Sequence, residues 1–180
     1  MTKKHALTLI LFVVLTAAAG NLVGFLSIPG AWYAGLQKPW FNPPNWIFGP
    51  VWTLLYVLIG IAGARVFIRE RGNALPKLWF LQLALNLAWS PAFFLMQRPD
   101  LSFIILIAML VTILMFIALA WNRDRPSALL FLPYAAWVAF AGCLNGAIWW
   151  LNSLQSRVLK FRLLFDGRIG TFAPAKGNTA

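Results

Sequence analysis

The chain has 180 residues, 61% of them hydrophobic and 11% charged, with a net charge of +11. That apolar content lies outside the soluble globular range and inside the range of polytopic membrane proteins. The basic residues flank apolar stretches, the ordinary way to set membrane topology, so the charge does not make nucleic acid a partner.

Charged residues are segregated: no Asp, Glu, Lys or Arg occurs in 5–37, 39–64, 78–97, 101–122 or 126–156. Each gap accommodates the roughly 20 apolar residues of a spanning helix, and lipid leaves few alternatives to helix. The predicted fold is all-α, a polytopic bundle of five transmembrane helices. They are placed near Leu7–Ile28, Ile47–Val66, Pro76–Gln97, Leu101–Trp121 and Ala128–Leu151. Residues 1–152 form the membrane domain, and 153–180 a basic, flexible C-terminal tail.

The first run follows Lys3 and Lys4 and contains Ala17, Ala18 and Ala19, which resembles a cleavable leader. Its apolar character continues through Ile28, which favours a retained span. Gly20 and Gly24, four apart and beside Asn21, read as a helix-association surface.

The connector that follows, WYAGLQKPWFNPPNWIFGPVW (Trp32–Trp52), holds four of the ten tryptophans and four of the eleven prolines. Proline fixes φ and removes an amide donor, which predicts a partly stiff, extended or turned segment. Tryptophan suits either a membrane interface or the roof of a pocket for a flat ligand.

In the second helix Trp52 and Tyr56 are four apart and share a face. In the third, Gln82, Asn86, Trp89 and Phe93 follow spacings of four, three and four, again one face. Unpaired amides are costly in lipid, so Gln82 and Asn86 should face the protein interior. Gln82 reads equally as interhelical glue; Asn86, beside Trp89, reads as pocket wall. Pro91 should kink this helix. In the fifth, Trp137, Ala141, Asn145 and Trp149 repeat every four residues, with Trp137 and Ala141 read as pocket. Gly142 and Gly146 read as close packing, and Cys143 as a small buried apolar residue. Trp121, Trp149 and Trp150 lie near helix ends, as belt residues do.

Counting basic residues in short loops gives eight against two and places the N-terminus inside, although the basic tail nearly cancels that bias. The stretch RVLKFRLLFDGR (Arg157–Arg168) either lies on anionic lipid or is a frayed tail.

No ionisable residue is predicted in a helix core, and His5 is the sole histidine. There is no cysteine or histidine set for a metal, no Ser–His–Asp set, no paired intramembrane carboxylates and no phosphate-binding glycine loop. Ordinary acid–base or metal catalysis is disfavoured. Aromatic rings, amides and hydroxyls remain, and these bind flat apolar ligands well.

Three stretches carry a family resemblance: WYAGLQKPWFNPPNWIFGPVWTLLY (Trp32–Tyr56), QLALNLAWSPAFF (Gln82–Phe94) and PYAAWVAFAGCLNGAIWW (Pro133–Trp150). The chain resembles the translocator proteins, also called peripheral-type benzodiazepine receptors or tryptophan-rich sensory proteins, over nearly all of residues 6–152. The resemblance implies a five-helix bundle, often a homodimer, with a ligand cavity under the first connector, in a bacterial plasma or outer membrane. It implies binding of porphyrins such as protoporphyrin IX, of sterols in some lineages, and of synthetic isoquinolines and benzodiazepines, with no cofactor required. Carried over by motif, the site is Tyr33, Pro43, Trp52, Tyr56, Asn86, Trp89, Trp137, Ala141 and Asn145. Trp52 and Trp137 match positions implicated in porphyrin photochemistry. The sterol-associated pattern is missing, since Leu144-Asn145 is followed by Gly146 and no tyrosine. Two functions follow: a porphyrin receptor or transporter that regulates tetrapyrrole metabolism, or a light- and oxygen-dependent porphyrin-degrading enzyme.

Overall fold

The computed structural model describes residues 3–70 and 72–169, with side chains through residue 154. Its helices are α1 (Lys3–Leu26), α2 (Ala31–Ala34), α3 (Phe48–Arg69), α4 (Leu75–Ser90), α5 (Pro99–Trp121) and α6 (Arg125–Ile169). A 3-10 turn, Asn45–Ile47, leads into α3, and a π turn, Pro91–Leu95, prolongs α4. Five of these segments are long and apolar enough to cross a membrane: α1, α3, α4, α5 and α6 to Leu154. Each expected span is therefore present. The last helix runs on to Ile169, beyond the Leu151 where the apolar pattern ends. The side chains of Arg157–Arg168 lie outside the described residues.

The packing order around the bundle is α1, α3, α6, α5, α4, with α4 closing only lightly on α1. Small residues set the tightest approach. A Cβ on Gly60 of α3 would sit 2.6 Å from the Val13 Cα of α1, so these backbones touch. Trp79 of α4 fills the notch over Gly63 and donates its indole N–H to the Ile59 carbonyl at 2.8 Å. Farther round, Phe116 of α5 stacks on Phe131 of α6 with centroids 4.0 Å apart. Aliphatic residues such as Leu7, Ile10, Leu15, Ile104 and Val111 point outward, as side chains facing lipid do.

Proline shapes the end of the third span. Pro91 has no N–H to donate, and the chain responds with a wider turn rather than a simple kink. Met96 N–H donates to the Pro91 carbonyl at 2.9 Å, and Arg98 N–H to the Ala92 carbonyl at 3.1 Å. Gln97 then takes a left-handed φ of 54°, and the helix stops at Leu95, two residues before the expected Gln97.

Two packing expectations are corrected. Cys143 is exposed on the outer face of α6, not buried. A small apolar side chain is as well accommodated by lipid as by protein, so burial does not follow from its type. Gly142 is buried, yet a Cβ there would meet nothing within 4 Å, so of that pair the close helix approach is at Gly146, with its Cβ position 3.0 Å from the Phe103 ring.

The end of the bundle opposite the first connector is tied by charge. Asp124 immediately precedes α6 and is 4% exposed. Its Oδ1 accepts from Arg65 Nη2 at 2.6 Å and its Oδ2 from Arg65 Nε at 3.1 Å, a bidentate pair joining α3 to α6. The Ser127 hydroxyl also donates to Oδ2, and Arg69 stands 3.8 Å from Oδ1. Burial raises the Asp124 pKa, but the Arg65 guanidinium and Ser127 hydroxyl outweigh it and hold the carboxyl below the usual range.

Candidate functional site

At the connector end the helices separate around a cavity of about 550 Å³. One wall is the C-terminal half of α1, with Gly20, Asn21, Gly24 and Ser27. Tyr33 and Asn45 come from the connector, and Phe48, Trp52 and Tyr56 from the start of α3. The end of α4 gives Asn86, Trp89, Ser90, Phe93 and Phe94; α6 gives Ala141, Leu144, Asn145 and Ile148.

The walls are built from contacting rings. Trp52 stacks on Tyr56 with centroids 5.6 Å apart and lies 6.2 Å from Trp89. Trp89 stacks on Phe93 at 6.1 Å, and Tyr33 meets Phe94 edge-on at 5.4 Å. Gly20 makes room for this array, because a Cβ there would lie 2.1 Å from the Tyr56 ring. Burial pushes the Tyr33 phenol above its ordinary range, with neighbouring Asn42 opposing.

The amides hold the rings. Asn86 Oδ1 accepts from the Tyr56 hydroxyl at 3.2 Å while its Nδ2 donates to the Tyr134 hydroxyl at 3.0 Å. Asn145 Oδ1 accepts from Trp89 Nε1 at 3.2 Å and from Ser102 at 2.8 Å, and its Nδ2 donates to the Pro99 carbonyl at 2.7 Å. The indole of Trp89 and both acceptor lone pairs of Asn145 are thus committed to the protein. Asn21 is similarly engaged, its Nδ2 on the Ala17 carbonyl at 2.8 Å and its Oδ1 on Thr53 at 3.1 Å.

Of the residues named from the sequence, the cavity brings together Tyr33, Trp52, Tyr56, Asn86, Trp89, Ala141 and Asn145. Pro43 and Trp137 are not among its lining. Pro43 accepts from the Asn42 side chain at 3.0 Å within the connector. Trp137 sits behind Phe48, with centroids 5.8 Å apart, and its buried N–H has no partner. Gln82 is fully buried, and its Nε2 bonds the Trp79 carbonyl of its own helix at 2.8 Å rather than a neighbouring helix.

The sequence reading missed the α1 wall. Its polar residue Asn21 and the glycines around it were the available signal, assigned there to helix association. It also missed Asn152, which closes the connector onto α6. Gln37 N–H donates to Asn152 Oδ1 at 3.0 Å, and Asn152 Nδ2 returns a bond to the Gln37 carbonyl at 3.0 Å. The four connector tryptophans fall into two groups by burial and contact. Trp52 lines the cavity and Trp32 packs on Phe93, whereas Trp40 and Trp46 project outward, 95% and 73% exposed.

The arrangement is a preformed aromatic chamber without a carboxylate, histidine or cysteine in its lining. Its walls offer aromatic faces, amides and hydroxyls. The TspO/MBR family model matches residues 12–151. Protein CrtK of Rhodobacter capsulatus is 37% identical over 82% of this chain and 94% of the relative. Tryptophan-rich protein TspO of Archaeoglobus fulgidus is 41% identical over 80% and 94%. The human translocator protein is 37% identical over 75% and 85%. With five apolar helices and relatives along most of its length, this integral multi-pass membrane protein of translocator and sensory type belongs to the TspO/MBR family.

Proposed function

We propose that the cavity is a receptor site for a porphyrin, with protoporphyrin IX as the representative ligand, and that binding there regulates tetrapyrrole handling or a stress response. The observation that carries this reading is the ring array of Trp52, Tyr56, Trp89 and Phe93 around a space of about 550 Å³. That volume lies within the ~300–1,000 Å³ of small-molecule sites, and offset ring stacking suits a flat macrocycle. Sterol-like, isoquinoline and benzodiazepine ligands fit the same apolar chemistry. The Asn152–Gln37 clasp supports a lid role for the connector, since ligand can favour its closed position by differential contact.

The test is a dark titration of the detergent-purified protein with protoporphyrin IX, followed by tryptophan quenching and the porphyrin absorption band. Ala141 is 4% exposed on the cavity wall, so Ala141→Leu should intrude on the ligand and weaken saturable binding at least tenfold. Binding that never saturates, or that Ala141→Leu leaves unchanged, removes the cavity as the site.

A second reading, light- and oxygen-dependent porphyrin degradation, is favoured by one observation: an indole, Trp52, lies in the cavity wall with Trp89 at 6.2 Å. In that reading the illuminated porphyrin is the species oxidised and oxygen is the oxidant reduced, while Trp52 exchanges an electron with the excited porphyrin only transiently and is restored. Multiple turnovers under illumination that vanish in Trp52→Phe would support it; damage without turnover would reduce it to a side reaction.

A further inference from the structure

Resting on the porphyrin reading, we infer that Ser27 is the hydrogen-bonding anchor of this cavity and that it selects ligands carrying a carboxylate on their rim. Of the amides in the lining, Asn45 is exposed at the connector, and Asn21, Asn86 and Asn145 are largely spent on the protein. Asn145 has both lone pairs and one amide proton committed, Trp89 has its one N–H committed, and Asn86 and Asn21 each use their carbonyl oxygen and amide nitrogen internally.

Ser27 is different. It lies one residue beyond α1, with its backbone N–H bonded to the Val23 carbonyl at 3.0 Å. The residue is 2% exposed and lines the cavity, yet its hydroxyl has no partner. A buried hydroxyl without a bond costs free energy that a ligand acceptor would recover.

The charge nearby has the sign that favours an anion. Lys38 is the single charged residue between positions 5 and 64. Its ammonium rests 4.6 Å from the centroid of the Tyr33 ring, which is itself part of the cavity lining. The ammonium bonds the Leu36 carbonyl at 3.3 Å, and no carboxylate pairs with it among the described residues. A carboxylate in this cavity would be drawn by the Lys38 charge, set against the negative C-terminal end of the α1 dipole at Ser27.

The experiment compares two flat ligands in the dark: protoporphyrin IX, which carries carboxylates, and a porphyrin substituted only with alkyl groups. Wild type, Ser27→Ala and Ser27→Thr are titrated with each. The inference predicts that Ser27→Ala weakens protoporphyrin IX about tenfold, leaves the alkyl porphyrin unchanged, and is rescued by the hydroxyl of Ser27→Thr. Equal losses for both ligands, or no loss for either, overturn the anchor while leaving the cavity as the porphyrin site. Absence of saturable binding of either porphyrin to wild type overturns the porphyrin reading and the anchor with it.

Discussion

The two ends of this bundle meet the same constraint, that polar groups in lipid must be satisfied, by different chemistry. At the N-terminal end of α6, Asp124 takes a bidentate bond from Arg65 and another from Ser127, and closes α3 against α6 with charge. At the connector end, among the described residues, no ion pair joins one helix to another; Arg98–Asp100 is local to the start of α5. Neutral amides, Asn86 and Asn145, hold tyrosine, tryptophan and serine across helices, and the rings they fix stand back from one another around a cavity. The charged end is held shut by a pair that is expensive to break. The neutral end is held open by bonds that position rings without filling the space between them. On the proposed reading, stability and binding are thereby given to opposite ends of the same helices.

The largest effect should come from breaking the charged end. Asp124→Asn leaves Arg65 without its partner and should lower stability by about 3 kcal/mol, measured by thermal unfolding in detergent, with porphyrin affinity retained. The pH dependence follows from the depressed Asp124 pKa. Its contribution is fully present above the unfolded carboxyl value of about 3.9 and is lost as pH falls through the lower folded value, so wild type and variant should begin to converge only below about pH 4.

A glycine pair on α1 gives the next comparison. Gly20→Ala drives a methyl into the Tyr56 ring, which is stacked on Trp52 and bonded to Asn86. The expected outcome is a loss of about 1–3 kcal/mol in stability and a measurable fall in ligand affinity. Gly24→Ala, one turn on, meets nothing within 4 Å and should unfold within about 0.5 kcal/mol of wild type. A smaller, kinetic effect is expected at the connector. Asn152→Ala removes both bonds to Gln37, and stopped-flow displacement should show ligand leaving several-fold faster with little change in unfolding midpoint.

The spans were legible because charge is excluded from each of them, a signal that survives uncertainty about every contact. The face of α4 was legible for a geometric reason. Spacings of four, three and four return to the same side of a helix, and Asn86, Trp89 and Phe93 all line the cavity. The stripe on α6 has spacings of four throughout, which drift about 40° at each step. Ala141 and Asn145 reach the cavity, whereas Trp137 turns behind Phe48 and Trp149 packs on Phe103. Ser27 and Asn152 could not be read from the chain, because each acts through a partner or a space set by tertiary packing. Nor could the role of Gln82, whose amide turns back to its own helix.

The most direct test of this division is the shift in unfolding midpoint that protoporphyrin IX produces in wild type, Asp124→Asn and Ala141→Leu. A ligand that binds only the folded cavity stabilises by RT ln(1 + [L]/Kd), whatever the starting stability. Wild type and Asp124→Asn should show the same ligand-induced stabilisation, despite their different midpoints, and Ala141→Leu a clearly smaller one at the same ligand concentration. A shift undiminished in Ala141→Leu, or one that disappears in Asp124→Asn while that variant remains folded, would overturn the assignment.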